Sequence, residues 1–80
     1  MEIKVFGTEM CHDTMRSRQH LEQRGIDYEF VNIDEDSRAE QQVIQWGSGK
    51  RRIPVIEIGG RRVTEPSNAE LDELLGENAA

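Results

Sequence analysis

Cys11, the single cysteine of this chain, follows a short apolar segment and precedes a segment that favours a helix. Residues 5–15 have the sequence V-F-G-T-E-M-C-H-D-T-M, in which Gly7 and Thr8 come between the apolar part and the cysteine. At such a strand-to-helix turn, backbone N–H groups and the helix dipole favour an anion, and a thiolate is a better nucleophile than a thiol. The pattern therefore predicts a reactive thiol. The alternative is a small buried hydrophobic side chain, which is a common role of free cysteine.

Two residues close to Cys11 have side chains that could take part in its chemistry. Histidine is the side chain that most readily exchanges a proton near neutral pH, so His12 is a candidate base, although a solvated residue at a helix start is the more common role. Thr14 lies one helical turn beyond Cys11. Its hydroxyl either donates a hydrogen bond to the thiolate or has no special task. We predict catalytic roles for Cys11, Thr14 and His12.

The composition excludes several classes of function. The chain has 80 residues, with ten Lys plus Arg against sixteen Asp plus Glu and a net charge of -6. These values predict one domain over residues 1–80 and argue against a nucleic-acid partner. A single cysteine excludes an intramolecular disulfide and a self-contained dithiol centre. Because adjacent residues such as Cys11 and His12 seldom chelate one ion, we expect no metal.

The distribution of apolar residues also bears on location. No segment approaches the roughly 20 apolar residues that span a bilayer. The first residues, M-E-I-K-V-F, lack the charged-then-apolar layout of a secretion signal and resemble a strand instead. We therefore expect a cytoplasmic protein that does not associate with membranes.

The pattern of apolar and turn-forming residues predicts seven elements in the order β-α-β-α-β-β-α. A helix between two strands implies a parallel pair, and the hairpin at 59–60 adds antiparallel strands, so we expect a mixed four-stranded sheet flanked by helices. The predicted segments are strands at 2–6, 27–33, 55–58 and 61–64, helices from 11 or 12 to 24, from 37 to 46 and from 67 to 75, and a frayed tail at 76–80.

The helix ends have specific sequence signals. Gly25 suits the left-handed position that follows the first helix. Ser37 with Glu40, and Ser67 with Glu70, have the S-x-x-E spacing of a capping box. We therefore predict that these two boxes open the second and third helices.

This order, with a cysteine after the first strand and an x-Pro step before the third, resembles the thioredoxin fold and within it the glutaredoxin family. F-G-T-E-M-C-H-D-T is similar to the family's aromatic-Thr-Lys-x-x-Cys-x-x-Cys segment, and S-G-K-R-R-I-P is similar to its T-G-x-R-T-V-P. I-G-G followed by V-T-E-P-S-N resembles the family's I-G-G and its later Gly-Gly-Cys-Asp-Asp segment. The resemblance covers nearly the whole chain and implies a thioredoxin-like α/β fold.

The resemblance also implies roles for the residues nearest the thiol. Cys11 matches the nucleophilic cysteine, and Thr14 stands where many members have a second, resolving cysteine, so C-H-D-T is a monothiol arrangement. Ile53 matches the residue whose backbone pairs with the cysteine part of glutathione, and Pro54 matches a cis-proline. Thr8 stands where many members have a lysine.

Two further parts of the chain match residues that bind the ends of glutathione. Arg51 matches a basic residue near the glycine carboxylate, and Ser67 and Asn68 fall where the family's aspartates meet the γ-glutamyl end. Thr64 and Glu65 replace the family's two glycines, and Glu65 could repel that carboxylate. The resemblance thus implies a thiol-binding set of Thr8, Arg51, Ile53, Pro54, Ser67 and Asn68.

The function implied is that of a monomeric monothiol oxidoreductase that exchanges thiols and disulfides. Its co-substrate would be glutathione or a similar low-molecular-weight thiol, and its partners would be S-thiolated proteins. Two alternatives stay open. One is a dimer in which two Cys11 thiolates and two glutathione thiols hold a two-iron, two-sulfur cluster, although H-D does not match the C-G-F-S of such proteins. The other is a redox-silent adaptor with a buried Cys11.

Overall fold

A computed structural model describes residues 2–79, with side chains described as far as residue 76. The elements follow the order β-α-β-α-β-β-α, as the sequence predicted. Their bounds are β1 (Ile3–Gly7), α1 (His12–Gln23), β2 (Glu29–Asn32), α2 (Ser37–Trp46), β3 (Val55–Ile58), β4 (Arg61–Thr64) and α3 (Asn68–Ala79). No helix in this part of the chain is both long and apolar enough to cross a bilayer.

The four strands form one mixed sheet in the order β2-β1-β3-β4. Strands β1 and β2 are parallel, with Val5 opposite Phe30, and β3 lies antiparallel on the other side of β1, with Phe6 opposite Val55. Strand β4 pairs with β3 through the hairpin at Gly59–Gly60. The predicted thioredoxin-like α/β architecture is therefore confirmed.

The sheet separates two hydrophobic clusters, because successive side chains of a strand point to opposite faces. Helices α1 and α3 cover one face and α2 covers the other. On β1, for example, Val5 belongs to the first cluster and Phe6 to the second. The first cluster contains Ile3, Val5, Leu21, Ile56, Ile58, Leu71, Leu74 and Leu75, and the second contains Phe6, Ile33, Ala39, Val43 and Val55.

Two of the predicted helix ends are confirmed. Gly25 adopts a φ of 68° after α1, and the Ile26 N–H donates to the Leu21 carbonyl at 2.9 Å, which is the long bond of a Schellman motif. At the start of α3, the Ser67 N–H donates to Glu70 Oε1 at 3.0 Å. The Glu70 N–H donates in return to Ser67 Oγ at 3.1 Å, so this capping box forms.

The predicted capping box at Ser37 is wrong. The N-cap of α2 is Asp36, which has extended backbone angles and accepts the Ala39 N–H at 3.0 Å. Asp and Ser are comparable caps, and Asp36 stands one residue earlier in the chain. Glu40, the other half of the predicted box, is instead 3.2 Å from Arg51 Nε.

The C-terminal helix is longer than the sequence predicted. Helix α3 continues past Gly76 to Ala79, so the backbone of 76–79 is helical where we expected a frayed tail. A glycine inside a helix costs only about 1 kcal/mol relative to alanine, which is too little to force an end there. Ala80, the rest of the predicted tail, lies outside the described residues.

The cap of α2 gives a direct test of this correction. We expect Asp36→Ala to lower the free energy of unfolding by about 1 kcal/mol, because the Ala39 N–H loses its acceptor. Ser37→Ala, at an exposed neighbouring position, should change it by less than about 0.5 kcal/mol. Urea denaturation followed by circular dichroism measures both. If Ser37→Ala loses more stability than Asp36→Ala, Ser37 is the N-cap of α2 and the capping box that the sequence predicted is right.

Candidate active site

Cys11 is the N-cap residue of α1, directly after the loop that leaves β1. Its backbone is extended, and its carbonyl accepts the Met15 N–H at 2.9 Å, which is the first bond of the helix. The thiol is free and partly exposed. No side chain caps α1, so none competes with the Cys11 sulfur for the first-turn N–H groups. The thiol therefore lies where the helix favours an anion and where a second sulfur can reach it.

Helix α1 begins close to the end of β1 because Gly7 has no side chain. A Cβ added at Gly7 would overlap Oγ1 and Cγ2 of Thr14 and would stand 3.0 Å from its Cβ. Thr14 is fully buried, so its branched side chain has no room to turn away. The contact between Gly7 and Thr14 thus sets how closely α1 packs on β1, and it fixes the position of Cys11.

The hydroxyl of Thr14 does not make the hydrogen bond to Cys11 that was one of the two roles considered for it. Thr14 Oγ1 is buried and has no partner within residues 2–79, and neither has the Oγ of Ser17 one turn later. The bond to Cys11 is therefore not formed. In this structure Thr14 contributes through its packing against Gly7.

The Ile53–Pro54 peptide bond is cis, as the resemblance implied. Pro54 is buried, and it lies beside the end of β1 because the next residue, Val55, pairs with Phe6. The N–H and C=O of Ile53 make no hydrogen bond within the described part of the chain. The backbone of Ile53 is therefore available to an extended ligand at the same edge of the sheet as Cys11.

The loop before α3 meets this edge as well. The Glu65 N–H donates to the Pro54 carbonyl at 2.8 Å, which attaches the loop to the cis-proline. Asn68 Oδ1 accepts a hydrogen bond from Arg16 Nη1 at 3.0 Å, so the loop is also tied to α1. At Ser67, the backbone N–H that could receive a carboxylate is already used by Glu70.

Arg51 lies three residues before the cis-proline, and two carboxylates contact its guanidinium. Its Nη2 donates to Asp34 Oδ1 at 2.6 Å, and its Nε is 3.2 Å from Glu40 Oε2. Asp34 follows β2 closely, so this contact brings the segment before Pro54 against the end of β2. The guanidinium is positioned by the chain itself.

The two remaining predicted residues have simpler surroundings. Thr8 is buried, with 6% of its surface exposed, where many members of the family carry a lysine. His12 is exposed at the first position of α1 and has no hydrogen bond or ion pair within residues 2–79. In the same part of the chain, no group of three or more His, Cys, Asp or Glu is arranged to hold a metal ion.

The sequence patterns did not indicate the roles of Arg16, Asp34 and Glu40. Arg16 and its partner Asn68 are 52 positions apart, and Arg51 and Asp34 are 17 positions apart, so no local pattern connects them. The three-residue spacing of Asp13 and Arg16 indicates an ion pair within α1, but it does not indicate the contact of Arg16 with Asn68. The capping-box spacing did indicate the contact between Glu70 and Ser67, but not that it occupies an anion-binding N–H.

The Glutaredoxin family model matches residues 3–63, which include Cys11, Arg51 and the cis-proline. The chain belongs to the glutaredoxin family. It is 29% identical over 73 residues to an uncharacterized glutaredoxin-like 8.6 kDa protein in the rubredoxin operon of Clostridium pasteurianum, with 91% of this chain and 96% of that protein covered.

Two solved structures show the glutaredoxin fold in similar form. The complex of buckwheat glutaredoxin with glutathione is 25% identical, with a TM-score of 0.72, and the match covers 98% of this chain and 79% of that one. NrdH-redoxin from Escherichia coli, a glutaredoxin-like protein with a thioredoxin-like activity profile, is 23% identical. Its TM-score is 0.78, and the match covers 92% of this chain and 95% of that one.

The close contact between Gly7 and Thr14 predicts that substitution by alanine will have opposite effects on the free energy of unfolding at Gly7 and at Gly76. Gly7→Ala should lower the free energy of unfolding by about 1–3 kcal/mol, because the added methyl overlaps Thr14. Gly76→Ala, in α3 with nothing within 4 Å of the added carbon, should raise it by about 0.5–1 kcal/mol. Denaturant melts of the two variants measure the difference. An unchanged stability in Gly7→Ala would mean that α1 is free to shift along β1.

The unpartnered hydroxyl of Thr14 predicts that valine is preferred there. Valine has nearly the same shape and removes a polar group that has no partner, so we expect Thr14→Val to raise the free energy of unfolding by about 1 kcal/mol. The same melts check this. If the hydroxyl instead bonds to the thiolate, Thr14→Val will be destabilising and Cys11 will react more slowly with iodoacetamide.

Proposed function

We propose that the protein is a monothiol thiol–disulfide oxidoreductase with Cys11 as its nucleophile. The observation that carries this proposal is the placement of a partly exposed thiol at the first turn of α1, at the same edge as the cis Ile53–Pro54 bond. The unpaired backbone of Ile53 would align the peptide-like part of a substrate along this edge, and membership of the glutaredoxin family supports the reaction class.

The reaction has two exchange steps. The Cys11 thiolate attacks one sulfur of a mixed disulfide, forms a new disulfide with that half and releases the other half as a thiolate. His12, exposed beside Cys11, is the candidate that accepts the thiol proton. Because the chain has one cysteine, a free thiol from outside then attacks the adduct. This step regenerates the Cys11 thiolate and produces the disulfide of the two external thiols.

The partners of this reaction are a low-molecular-weight thiol and S-thiolated proteins. Glutathione is the thiol typical of the family, and one similar structure is a glutathione complex. On this proposal the small thiol would bind beside Thr8, Arg51, Ser67 and Asn68, the residues for which the resemblance implies that role. Since free thiols must complete each cycle, we propose that a monomer of this chain works in the reducing cytoplasm.

The exchange is tested by intact-mass measurement and by kinetics. Reduced protein is incubated with bis(2-hydroxyethyl) disulfide, and in parallel with oxidised glutathione. We expect a single adduct on Cys11 that forms faster in the native chain than in the same chain unfolded in urea, because only the folded helix activates the thiol. Added free thiol should remove the adduct.

The matched control is Cys11→Ser in an assay of mixed-disulfide reduction. We expect turnover in the native protein and none above the uncatalysed rate in the variant. Two results contradict the proposal: no adduct with either disulfide, or an adduct that forms no faster on the folded chain than on the unfolded one. Either result would leave the adaptor alternative.

A further inference from the structure

The first group at the active-site edge that could bind an anion is Arg51. A guanidinium binds a carboxylate well because it offers several N–H donors in one plane. In this protein Asp34 accepts from Nη2 at 2.6 Å, and Glu40 is 3.2 Å from Nε. One positive charge therefore already faces two negative charges of the same chain.

The second group is the N–H of Ser67 at the start of α3. A helix N-terminus favours an anion, but here the Glu70 carboxylate accepts the Ser67 N–H at 3.0 Å. This backbone hydrogen bond and that of the Ser67 side chain hold the pKa of Glu70 below its usual value. The carboxylate is therefore charged at neutral pH and occupies the Ser67 N–H, which a ligand carboxylate would otherwise contact.

The third group is Arg16, which reaches from α1 to the loop before α3. Its Nη1 donates to Asn68 Oδ1 at 3.0 Å, and its Nη2 donates to the Pro66 carbonyl at 3.4 Å and stands 3.7 Å from Asp13 Oδ1. Both of these hydrogen bonds are made to the loop before α3, and the nearby carboxylate of Asp13 offsets the charge of the guanidinium. Each of these three groups thus faces a carboxylate of the chain.

We propose that the site selects disulfides whose small thiol carries no carboxylate and discriminates against anionic thiols such as glutathione. This inference rests on the function proposed above and names its substrate class. A ligand carboxylate must displace an internal one that is already held in place by the fold, and the internal group has the advantage of a high effective concentration. Glu9, two residues before Cys11, and Glu65, whose N–H donates to the Pro54 carbonyl, add negative charge to two loops of this edge.

Two cations near the edge do not offset this arrangement. Lys50 and Arg52 flank Arg51 on the loop before the cis-proline, and both are exposed. Neither side chain makes an ion pair within residues 2–79, so the chain does not hold either cation in one position for a ligand carboxylate, as it holds Arg51. The N–H and C=O of Ile53 therefore remain the main polar groups that this edge offers to a substrate.

The test compares two mixed disulfides of one reporter thiol, one made with 2-mercaptoethanol and one with glutathione. The measured quantity is the ratio of kcat/KM for the neutral substrate to that for the glutathione substrate. In the variant Asp34→Asn/Glu40→Gln/Glu70→Ala, Arg51 and the Ser67 N–H are released. We expect the ratio to fall by about tenfold, the size expected of one or two charge-assisted hydrogen bonds.

The matched control removes nearby charges that occupy no anion-binding group. Glu35→Gln/Glu73→Gln alters the same two regions and should leave the ratio within about twofold, since screened surface charges act weakly. If the control lowers the ratio as much as the triple variant does, general repulsion is the cause and the proposal is wrong. If the triple variant does not fold, Asp34→Asn/Glu40→Gln replaces it; this variant keeps the cap of α3 and frees Arg51 from both carboxylates, and it should still lower the ratio.

A non-reactive probe separates this inference from the proposed function. S-methylglutathione does not exchange, so its binding is measured by shifts of the amide signals of Ile53 and Ser67 even if no turnover exists. We expect binding to the triple variant that is about tenfold tighter than to the native chain. Equal binding to the two proteins overturns the selection proposed here, whereas absent turnover with a neutral disulfide overturns only the oxidoreductase function.

Discussion

The close approach of α1 to the end of β1 is the contact on which the active site depends. Strand β1 is held on both faces, with Val5 in the cluster under α1 and α3 and Phe6 in the cluster under α2. Gly7 then lets Thr14 pack directly on the backbone. Cys11 therefore takes its position from the packed interior of the whole domain and not from its own loop.

The second half of the site is fixed through the same strand. Val55 pairs with Phe6, so the cis-proline that precedes it lies at the edge where β1 ends. Glu65 is bonded to the carbonyl of Pro54, which adds the loop before α3. A thiol and an unpaired peptide backbone are thus held by one pair of neighbouring strands. Such rigid placement suits a reaction that requires three sulfur atoms in line.

The sequence predicted what local patterns determine. The order of elements, the left-handed Gly25 and the capping box at Ser67 all follow from signals within a few residues, and all are observed. The N-cap of α2 was misplaced because Asp36 and the next residue are both good caps, and only packing decides between them. The partners of Arg51 could not be predicted, since they depend on which distant segments the folded sheet brings together.

Basic residues lie beside acidic residues both at the active-site edge and on the sheet. Registered residues across β2, β1, β3 and β4 alternate in sign, in the order Glu29, Lys4, Glu57 and Arg62. Lys4 is thus placed between acids of the two neighbouring strands, as Arg51 is placed between two carboxylates at the active-site edge. With a net charge of -6, the chain has more acids than its cations can match. In the selection proposed above, a ligand at this edge is therefore recognised by the backbone of Ile53 and by the sulfur of Cys11 more than by its own charge.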